Sequence, residues 1–310
     1  MKIHLHLNLQ EERGRKGRAS FCLLIVFFLL LPSTVHAGEA VRLNVLTSFL
    51  PIYIFTKNVV GEREGISVDL LIPGDVGPHD YHMRPSDMRR LGRADMIIIN
   101  GLGIEDFLGD AMRNKSYESA GTLNLIPNRW DDHNHDHYHE SNFNPHTWVS
   151  PKMAILQVSN IVGFLSSLDP AGEDEYRINA EAYIKKIQQI QTKMEEAVKA
   201  LKKKKIVTFH NAFDYLARDL GLEIVDVIYK SAVEELSAGE MVKIIELIKK
   251  EKISVIFSEP QFPRRMAELL ARESGAKVYS LDPVATGEIN ADYYEKAMRK
   301  NITVLETALQ

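Results

Sequence analysis

Residues 173–201 read EDEYRINAEAYIKKIQQIQTKMEEAVKAL and contain neither glycine nor proline. Apolar side chains recur through this stretch at spacings of four and three, at Tyr176, Ala180, Tyr183, Ile187, Ile190, Met194, Ala197 and Leu201. The spacing predicts one helix about 43 Å long with a narrow apolar face. Two arrangements would bury that face: a coiled-coil dimer, or a strut lying across two lobes of one chain.

Short β-branched runs alternate with helical patterns on both sides of this stretch. Before it, the pattern predicts strands at 41–49, 68–73, 95–100 and 123–126. After it, the pattern predicts strands at 205–209, 223–228, 253–258 and 277–281. Strands that alternate with helices form parallel sheets with helical crossovers, so an α/β fold is expected on each side.

Local signals set the ends of several predicted helices. Ser150 and Pro151 are typical of an N-cap and a first helical position, and the helix they open ends before Asp169. Ser237 and Glu240 form a capping-box pattern. Gly275 would close the helix that starts near residue 263. Further helices are predicted at 86–92 and 290–309.

The predicted architecture is therefore two α/β lobes, each with a mainly parallel sheet flanked by helices, joined by one long linking helix. The expected boundaries are 38–172 for the N-terminal lobe, 173–204 for the linking helix and 205–310 for the C-terminal lobe. Since α/β patterns flank the long helix on both sides, the strut is favoured over the coiled coil. We accordingly expect a monomer.

The first 37 residues resemble a cleavable secretory signal. They hold five basic and two acidic residues, followed by an unbroken apolar run of 11 residues from Phe21 to Leu31. Val35 and Ala37 supply small residues around a cleavage point. A membrane anchor is the alternative, but a span needs about 20 apolar residues. Cys22 lacks small residues just before it, so we expect a soluble periplasmic protein that is not lipidated and begins near Gly38.

The remaining 273 residues carry 33 basic and 40 acidic side chains, a net charge of −7. An acidic body argues against nucleic acid as the partner, because phosphate binding needs a basic face. The chain has a single cysteine, Cys22, which lies in the leader. The body therefore has no disulfides, thiolate metal sites or cysteine nucleophile.

Four of the eight histidines in the body form one tract, at His133, His135, His137 and His139 within residues 131–140. The tract lacks apolar periodicity and is predicted to be a loop. Alternating imidazoles on an extended chain fall on one side, where two or three can share a metal such as Zn²⁺, Cu²⁺ or Ni²⁺. An exposed polar loop that binds metal only incidentally is the alternative. Ordering a flexible loop costs entropy, so weak and exchangeable binding is expected.

The other histidines are His79, His82, His146 and His210. Three of them lie just beyond a predicted strand or beside a helix start, where α/β proteins place their ligand sites. His79 and His146 each follow a proline, which restricts the local backbone. His82 is close enough to His79 to be only an exposed neighbour. A single histidine is more often a hydrogen-bonded structural residue, but three at such positions favour a metal site.

Five segments, in order, stand out as motifs: Gly77-Pro78-His79-Asp80-Tyr81 with Pro85-Ser86-Asp87, Asn144-Pro145-His146-Thr147-Trp148-Val149-Ser150-Pro151, Thr208-Phe209-His210-Asn211-Ala212-Phe213, Ser258-Glu259-Pro260-Gln261-Phe262, and Leu281-Asp282-Pro283. They resemble motifs of the zinc/manganese substrate-binding proteins of ABC importers. The resemblance covers essentially the whole chain after the leader, including the lobe–helix–lobe plan and the histidine loop before the second motif.

The resemblance implies a ligand set position by position. His79, His146 and His210 match the imidazole ligands of zinc binders, and Asp282 matches a position that supplies a carboxylate in several members. In some zinc-binding members water or another side chain fills that fourth place instead. Glu259 matches a residue beside the metal rather than on it. Relatives that bind manganese generally have a glutamate where this chain has His210, and three nitrogens with one oxygen suit tetrahedral Zn²⁺. Asn211 departs from the aspartate that relatives often have, which can weaken a supporting contact.

The implied function is capture of Zn²⁺ in the cleft between the lobes and its delivery to an ABC permease driven by a cytoplasmic ATPase, with Mn²⁺ or mixed specificity as the alternative. The linking helix predicts only small, local closure around the metal. Ligand imidazoles must be neutral, so affinity is expected to fall as pH drops through about 6.5. An exported zinc hydrolase with Glu259 as base, an adhesin and a metal chaperone are weaker alternatives, and we predict that the protein is not an enzyme.

Overall fold

The computed structural model describes residues 43–109, 115–121, 123–128, 142–199, 204–229, 237–261 and 264–309. The predicted leader at 1–37 and the histidine tract at 131–140 lie outside these residues. The strands described are β1 Leu43–Thr47, β2 Ile66–Leu70, β3 Met96–Ile99, β4 Ser116–Glu118, β5 Lys205–Thr208, β6 Glu223–Val227, β7 Val255–Ser258 and β8 Lys277–Ser280. They form two sheets with parallel pairing, in the orders β2-β1-β3-β4 and β6-β5-β7-β8.

The helices described are α1 Leu50–Val60, α2 Pro85–Leu91, α3 Pro151–Leu168, α4 Glu173–Lys199, α5 Asp214–Leu220, α6 Ala238–Lys250, α7 Arg264–Ser274 and α8 Tyr293–Ala308. The predicted caps are confirmed. The Ser150 side chain accepts a hydrogen bond from the Met153 N–H, and Ser237 and Glu240 exchange both bonds of a capping box. Gly275 follows α7 with φ +79°, which is the left-handed conformation that ends many helices.

The prediction of a strand at 123–126 is wrong, and the edge strand of the first sheet is β4 instead. β4 is a short, largely exposed Ser-Tyr-Glu segment, so it carries no apolar run by which a sequence pattern can find it. Residues 123–128 make a different backbone contact. Pro127 forms an isolated antiparallel bridge with Phe143, which pairs the described segments on either side of the predicted histidine loop.

Helix α4 is the long helix predicted from its spacing, and its apolar face is buried within the chain as the strut arrangement requires. The buried side chains are Tyr176, Ala180, Tyr183, Ile187, Ile190, Met194 and Val198. The last position is Val198 where the heptad pattern predicted Ala197, because a straight helix repeats every 3.6 residues and its buried face drifts away from a 3.5-residue pattern. This face packs on α1, α3 and α8.

One apolar core runs through the molecule and joins residues of both sheets to α4. It contains Val45 and Ile98 from the first sheet, Ile206 and Phe257 from the second, and Ile187 from the helix. Residues 40–310 form one compact unit, and the lobe boundaries at 172 and 205 stay a prediction. Among the described residues, no helix is long and apolar enough to cross a membrane.

Candidate metal centre

His79 lies in the loop that follows β2. Pro78, His79 and Asp80 form one 3₁₀ turn, in which Pro78 occupies the first position and has its φ fixed by its ring. His79 is the solvent-exposed member of the histidine cluster described below. His82 is also exposed, as expected for a neighbour, and it is not part of the cluster.

His146 comes from a different part of the chain, just before the 3₁₀ turn Thr147–Val149 that leads into α3. Its side chain is 3 % exposed. Burial of the imidazole, followed by the nearby rings of His210 and His79, lowers the pKa of His146 well below 6.5. His146 is therefore neutral at physiological pH, which is the form that binds a metal.

His210 belongs to the second sheet and follows β5 by two residues. It lies at the carboxyl edge of the sheet, directly before the 3₁₀ turn Asn211–Phe213, and is 9 % exposed. Parallel strands direct their following loops to one edge, where ligand sites form. The second sheet thereby contributes an imidazole to a group whose other members follow elements of the first.

The three imidazoles converge. One ring nitrogen from each of His79, His146 and His210 lies within 4.8 Å of the other two. The Nε2 atoms of His79 and His146 are 3.1 Å apart. The ring centroids are separated by 5.2 Å for His79 and His146, 5.4 Å for His79 and His210, and 4.6 Å for His146 and His210. Imidazole nitrogens that converge in this way suit a cation such as Zn²⁺.

Glu259, which the resemblance places near the site, lies beside His210. Its Oε1 atom is 3.4 Å from His210 Nδ1, and the Glu259 side chain is fully buried. Its other oxygen accepts a hydrogen bond from the Gln261 amide. A carboxylate that faces Nδ1 favours the tautomer whose Nε2 is available to a metal.

Asp282 is not brought into the cluster. Among the described residues, the one group of three or more acidic or histidine side chains whose ligand atoms all lie within 4.8 Å of one another consists of His79, His146 and His210. Asp282 Oδ1 accepts a bond of 2.7 Å from the Val284 N–H, and Oδ2 accepts a bond of 3.3 Å from the Tyr293 hydroxyl. Burial raises the pKa of Asp282 despite these two bonds. Coordination of a metal by this carboxylate would require it to exchange these partners.

The sequence reasoning missed the part played by Asn144. This buried amide bonds to His146, and it also bonds to the segment after His210. One signal was present, since an asparagine side chain commonly accepts a bond from the backbone N–H two residues on, which here is that of His146. The contacts to the second sheet are long-range and leave no trace in a local pattern.

Trp148 also links segments that are distant in sequence. Its indole Nε1–H donates a bond of 2.8 Å to the Pro283 carbonyl, next to Asp282. Its own carbonyl accepts a bond of 2.9 Å from the Tyr294 hydroxyl of α8. The turn after His146 is thus fastened to the loop that carries Asp282.

Comparisons with known proteins were made with this geometry established. Residues 45–308 match the family model described as the periplasmic zinc-uptake complex component A. The chain is 33% identical over 304 residues to the zinc-binding lipoprotein AdcA of Streptococcus pneumoniae, covering 94% of this chain and 58% of the relative. It is 30% identical to the high-affinity zinc uptake system protein ZnuA of Bacillus subtilis, covering 93% of this chain and 95% of that protein.

Solved structures show the same likeness. The substrate-binding protein FpvC of Pseudomonas aeruginosa, determined in complex with Mn²⁺, superimposes with a TM-score of 0.75 at 32% identity and covers 87% of this chain and 98% of its own. The chain spans a little over half the length of the AdcA relatives it matches.

Proposed function

The chain belongs to the periplasmic zinc-uptake component A family, and we propose that it captures Zn²⁺ outside the cytoplasm and delivers it to an ABC permease powered by a cytoplasmic ATPase. The observation that carries this proposal is the convergence of three imidazole nitrogens, from three separate segments, within 4.8 Å of one another. One relative named for zinc binding and one named for zinc uptake support the choice of cargo.

The donor atoms favour zinc over manganese. Nitrogen donors suit Zn²⁺, whereas Mn²⁺ prefers oxygen and a higher coordination number. Manganese is the second candidate because FpvC, which has a similar fold, was crystallised with Mn²⁺. Asp282 is the protein group we propose for the fourth position, after release of its bonds to Val284 and Tyr293.

We propose binding and release rather than catalysis as the role of this site. Residues of both sheets share one apolar core, and the side chains of Trp148 and Asn144 hydrogen-bond to segments that are distant in sequence. Such ties favour a small, local closure around the cation over a large hinge motion. Release is therefore expected to depend on the partner permease. Turnover of ester or peptide substrates by the zinc-loaded protein would favour the hydrolase alternative instead.

Competitive titration of residues 38–310 with Zn²⁺ and Mn²⁺ tests the proposal. We expect one tight zinc site that Mn²⁺ displaces only in large excess. His146→Ala removes a buried nitrogen ligand and should weaken zinc binding by about two orders of magnitude or more, since loss of even a supporting group typically costs about 10–100-fold. The exposed His82 is the matched control, and His82→Ala should leave the affinity unchanged. A wild-type affinity in His146→Ala would contradict the assignment.

We propose that the mature protein is periplasmic and soluble, with residues 1–37 removed on export. The basic segment and the 11-residue apolar run of the leader support this. One relative carries the name lipoprotein, so lipidation at Cys22 is the competing outcome. Cell fractionation followed by mass spectrometry of the mature chain distinguishes a soluble protein from a lipoprotein. An unmodified N-terminus near Gly38 supports the proposal, and a lipid on Cys22 contradicts it.

A further inference from the structure

Asn144 is a fully buried amide between the two halves of the histidine cluster. Its Oδ1 atom lies 2.9 Å from the backbone nitrogen of His146 and 2.9 Å from His146 Nδ1. Its Nδ2 atom lies 2.7 Å from the Asn211 carbonyl oxygen and 2.9 Å from Asp214 Oδ2. Both ends of one side chain are therefore hydrogen-bonded, each to a different part of the chain.

These partners decide which way the amide points. The Asn211 carbonyl oxygen can only accept, so the atom of Asn144 that faces it must be the donating nitrogen. The oxygen of Asn144 then faces His146, where the backbone N–H already donates to it. No reversed amide satisfies both contacts.

The orientation of the amide in turn fixes the tautomer of His146. An amide oxygen cannot donate, so Nδ1 of His146 must carry the proton. In the neutral imidazole that binds a metal, a proton on Nδ1 leaves the free electron pair on Nε2. That atom is the one that lies 3.1 Å from His79 Nε2, inside the cluster.

The Asn144 amide also holds the segment of His146 close to the segment of His210. Asn211 directly follows His210, so the bond from Asn144 to the Asn211 carbonyl ties the segment of His146 to that of His210. The Tyr215 hydroxyl reinforces this tie with a bond of 2.7 Å to the Asn144 carbonyl. None of these contacts uses the Nε2 atom of His146, so they position the two imidazoles without occupying that atom.

We propose that Asn144 is a positioning residue of the zinc site, which selects Nε2 of His146 as the metal-binding atom and holds it in register with His210. The inference rests on the proposed function, because it concerns how that site is built. It goes further by assigning the preorganisation of the site to a side chain that does not touch the metal.

Two variants break the contacts in different ways. Asn144→Leu keeps the volume and removes all four polar contacts, and we expect zinc affinity to fall by about 10–100-fold. Asn144→Asp keeps the acceptor for His146 but places a carboxylate against Asp214 and the Asn211 carbonyl, and a loss of similar size is expected. Adding Asp214→Asn to Asn144→Asp exchanges amide and carboxylate, restores a donor–acceptor pair between positions 144 and 214, and should recover most of the affinity.

The tautomer supplies a readout that general loss of stability would not move. Nitrogen chemical shifts of His146 in the metal-free wild type should show a proton on Nδ1 only. Asn144→Leu should show a mixture of tautomers or a proton on Nε2. The paired variant should return to the wild-type signature.

Asn58→Leu is the matched control, because the Asn58 amide also bonds distant segments, through Ile54 and Ala291, without contacting a histidine. It should reduce stability and leave both the tautomer and the affinity unchanged. Wild-type affinity and tautomer in Asn144→Leu, or equal losses in Asn58→Leu and in the paired variant, would overturn the inference. Failure of the proposed function would show separately, as absence of tight zinc binding by the wild type.

Discussion

The two sheets share one strand order but use the same edge differently. In both sheets, loops follow the two central strands at the carboxyl edge. Each edge holds a buried glutamate, which is Glu105 after β3 of the first sheet and Glu259 after β7 of the second. Glu105 is surrounded by donors, whereas Glu259 lies 3.4 Å from the imidazole of His210. The two sheets share a topology, and the neighbouring side chains decide whether the buried glutamate is satisfied by donors or faces a histidine of the metal site.

The carboxylate of Glu105 is satisfied by hydrogen bonds. Glu105 Oε1 accepts bonds of 2.8 Å from the Ser48 hydroxyl and 2.8 Å from the Asn100 N–H, and Oε2 accepts a bond of 2.9 Å from the Gly101 N–H. Burial outweighs these bonds and raises the pKa of Glu105 to about 7. Both oxygens of Glu105 are thus satisfied by groups from the first sheet and its loops.

The largest difference in zinc affinity is expected between a substitution after β5 of the second sheet and one after β1 of the first. His210→Ala removes a ligand and should weaken zinc binding by about 100-fold or more, with little effect on folding without metal. Ser48→Ala removes one hydrogen bond to Glu105 and should cost about 1–3 kcal/mol of stability, with unchanged zinc affinity. Competition titration and urea unfolding measure the two effects. Equal zinc affinities in the two variants would remove the distinction between the halves.

The buried carboxyl group of Glu105 predicts that the stability of the fold depends on pH. Glu105 ionises at an ordinary pKa of 4.5 when unfolded and at about 7 when folded, so the native state holds the extra proton between these values. The free energy of unfolding should therefore fall as pH rises from about 4.5 to 7, by on the order of 3 kcal/mol from this group. Urea unfolding of metal-free protein across this range measures it.

Glu105→Gln is the variant that isolates this contribution. It cannot ionise, so the difference in unfolding free energy between wild type and variant should itself change with pH across this range. The variant should also lose stability at all pH values, because its amide would face the Gly101 N–H. A difference between the two proteins that is independent of pH would contradict the raised pKa of Glu105.

Substitution of Glu259, the glutamate of the second sheet, should change zinc affinity rather than stability. Glu259→Gln keeps the shape of the side chain but removes the negative charge beside His210 Nδ1, so the imidazole becomes a weaker ligand. Zinc affinity is expected to fall by about 10–100-fold, and calorimetric titration measures it. An effect on stability alone would place Glu259 in the same class as Glu105.

The smallest expected effect concerns the histidine tract. Deletion of residues 131–140 that keeps the bridge between Pro127 and Phe143 should preserve the tight site, since His146 and its contacts lie outside the deletion. It should lower the amount of weakly bound zinc per chain. Equilibrium dialysis at high zinc concentration measures this. Unchanged stoichiometry would count against metal binding by the tract.

Local signals predicted most of the fold. The period of α4, the cap at Ser150 and the capping box at Ser237 are properties of neighbouring residues, and the structure confirms each of them. The exposed edge strand β4 lacks an apolar run and was missed. Its place in the sheet comes from pairing with β3, a contact between residues distant in sequence.

The site was predictable in part. Positions beside strands and helix starts selected His79, His146 and His210, and the resemblance to a family identified them as ligands; the structure brings all three together. Spacing could not reveal Asn144, whose contacts depend on how the two halves meet. The assignment of Asp282 as the fourth ligand stays a prediction, since its carboxylate bonds to Val284 and Tyr293.

The central claim is that imidazoles from both halves hold one zinc ion. Diffraction from crystals of the zinc-loaded mature protein, with data on both sides of the zinc absorption edge, tests it directly. We predict one strong anomalous peak per chain, about 2.0–2.1 Å from one ring nitrogen each of His79, His146 and His210, with Nε2 as the ligand atom of His146. A principal zinc peak that is not bonded to His146 and His210 together would contradict the account.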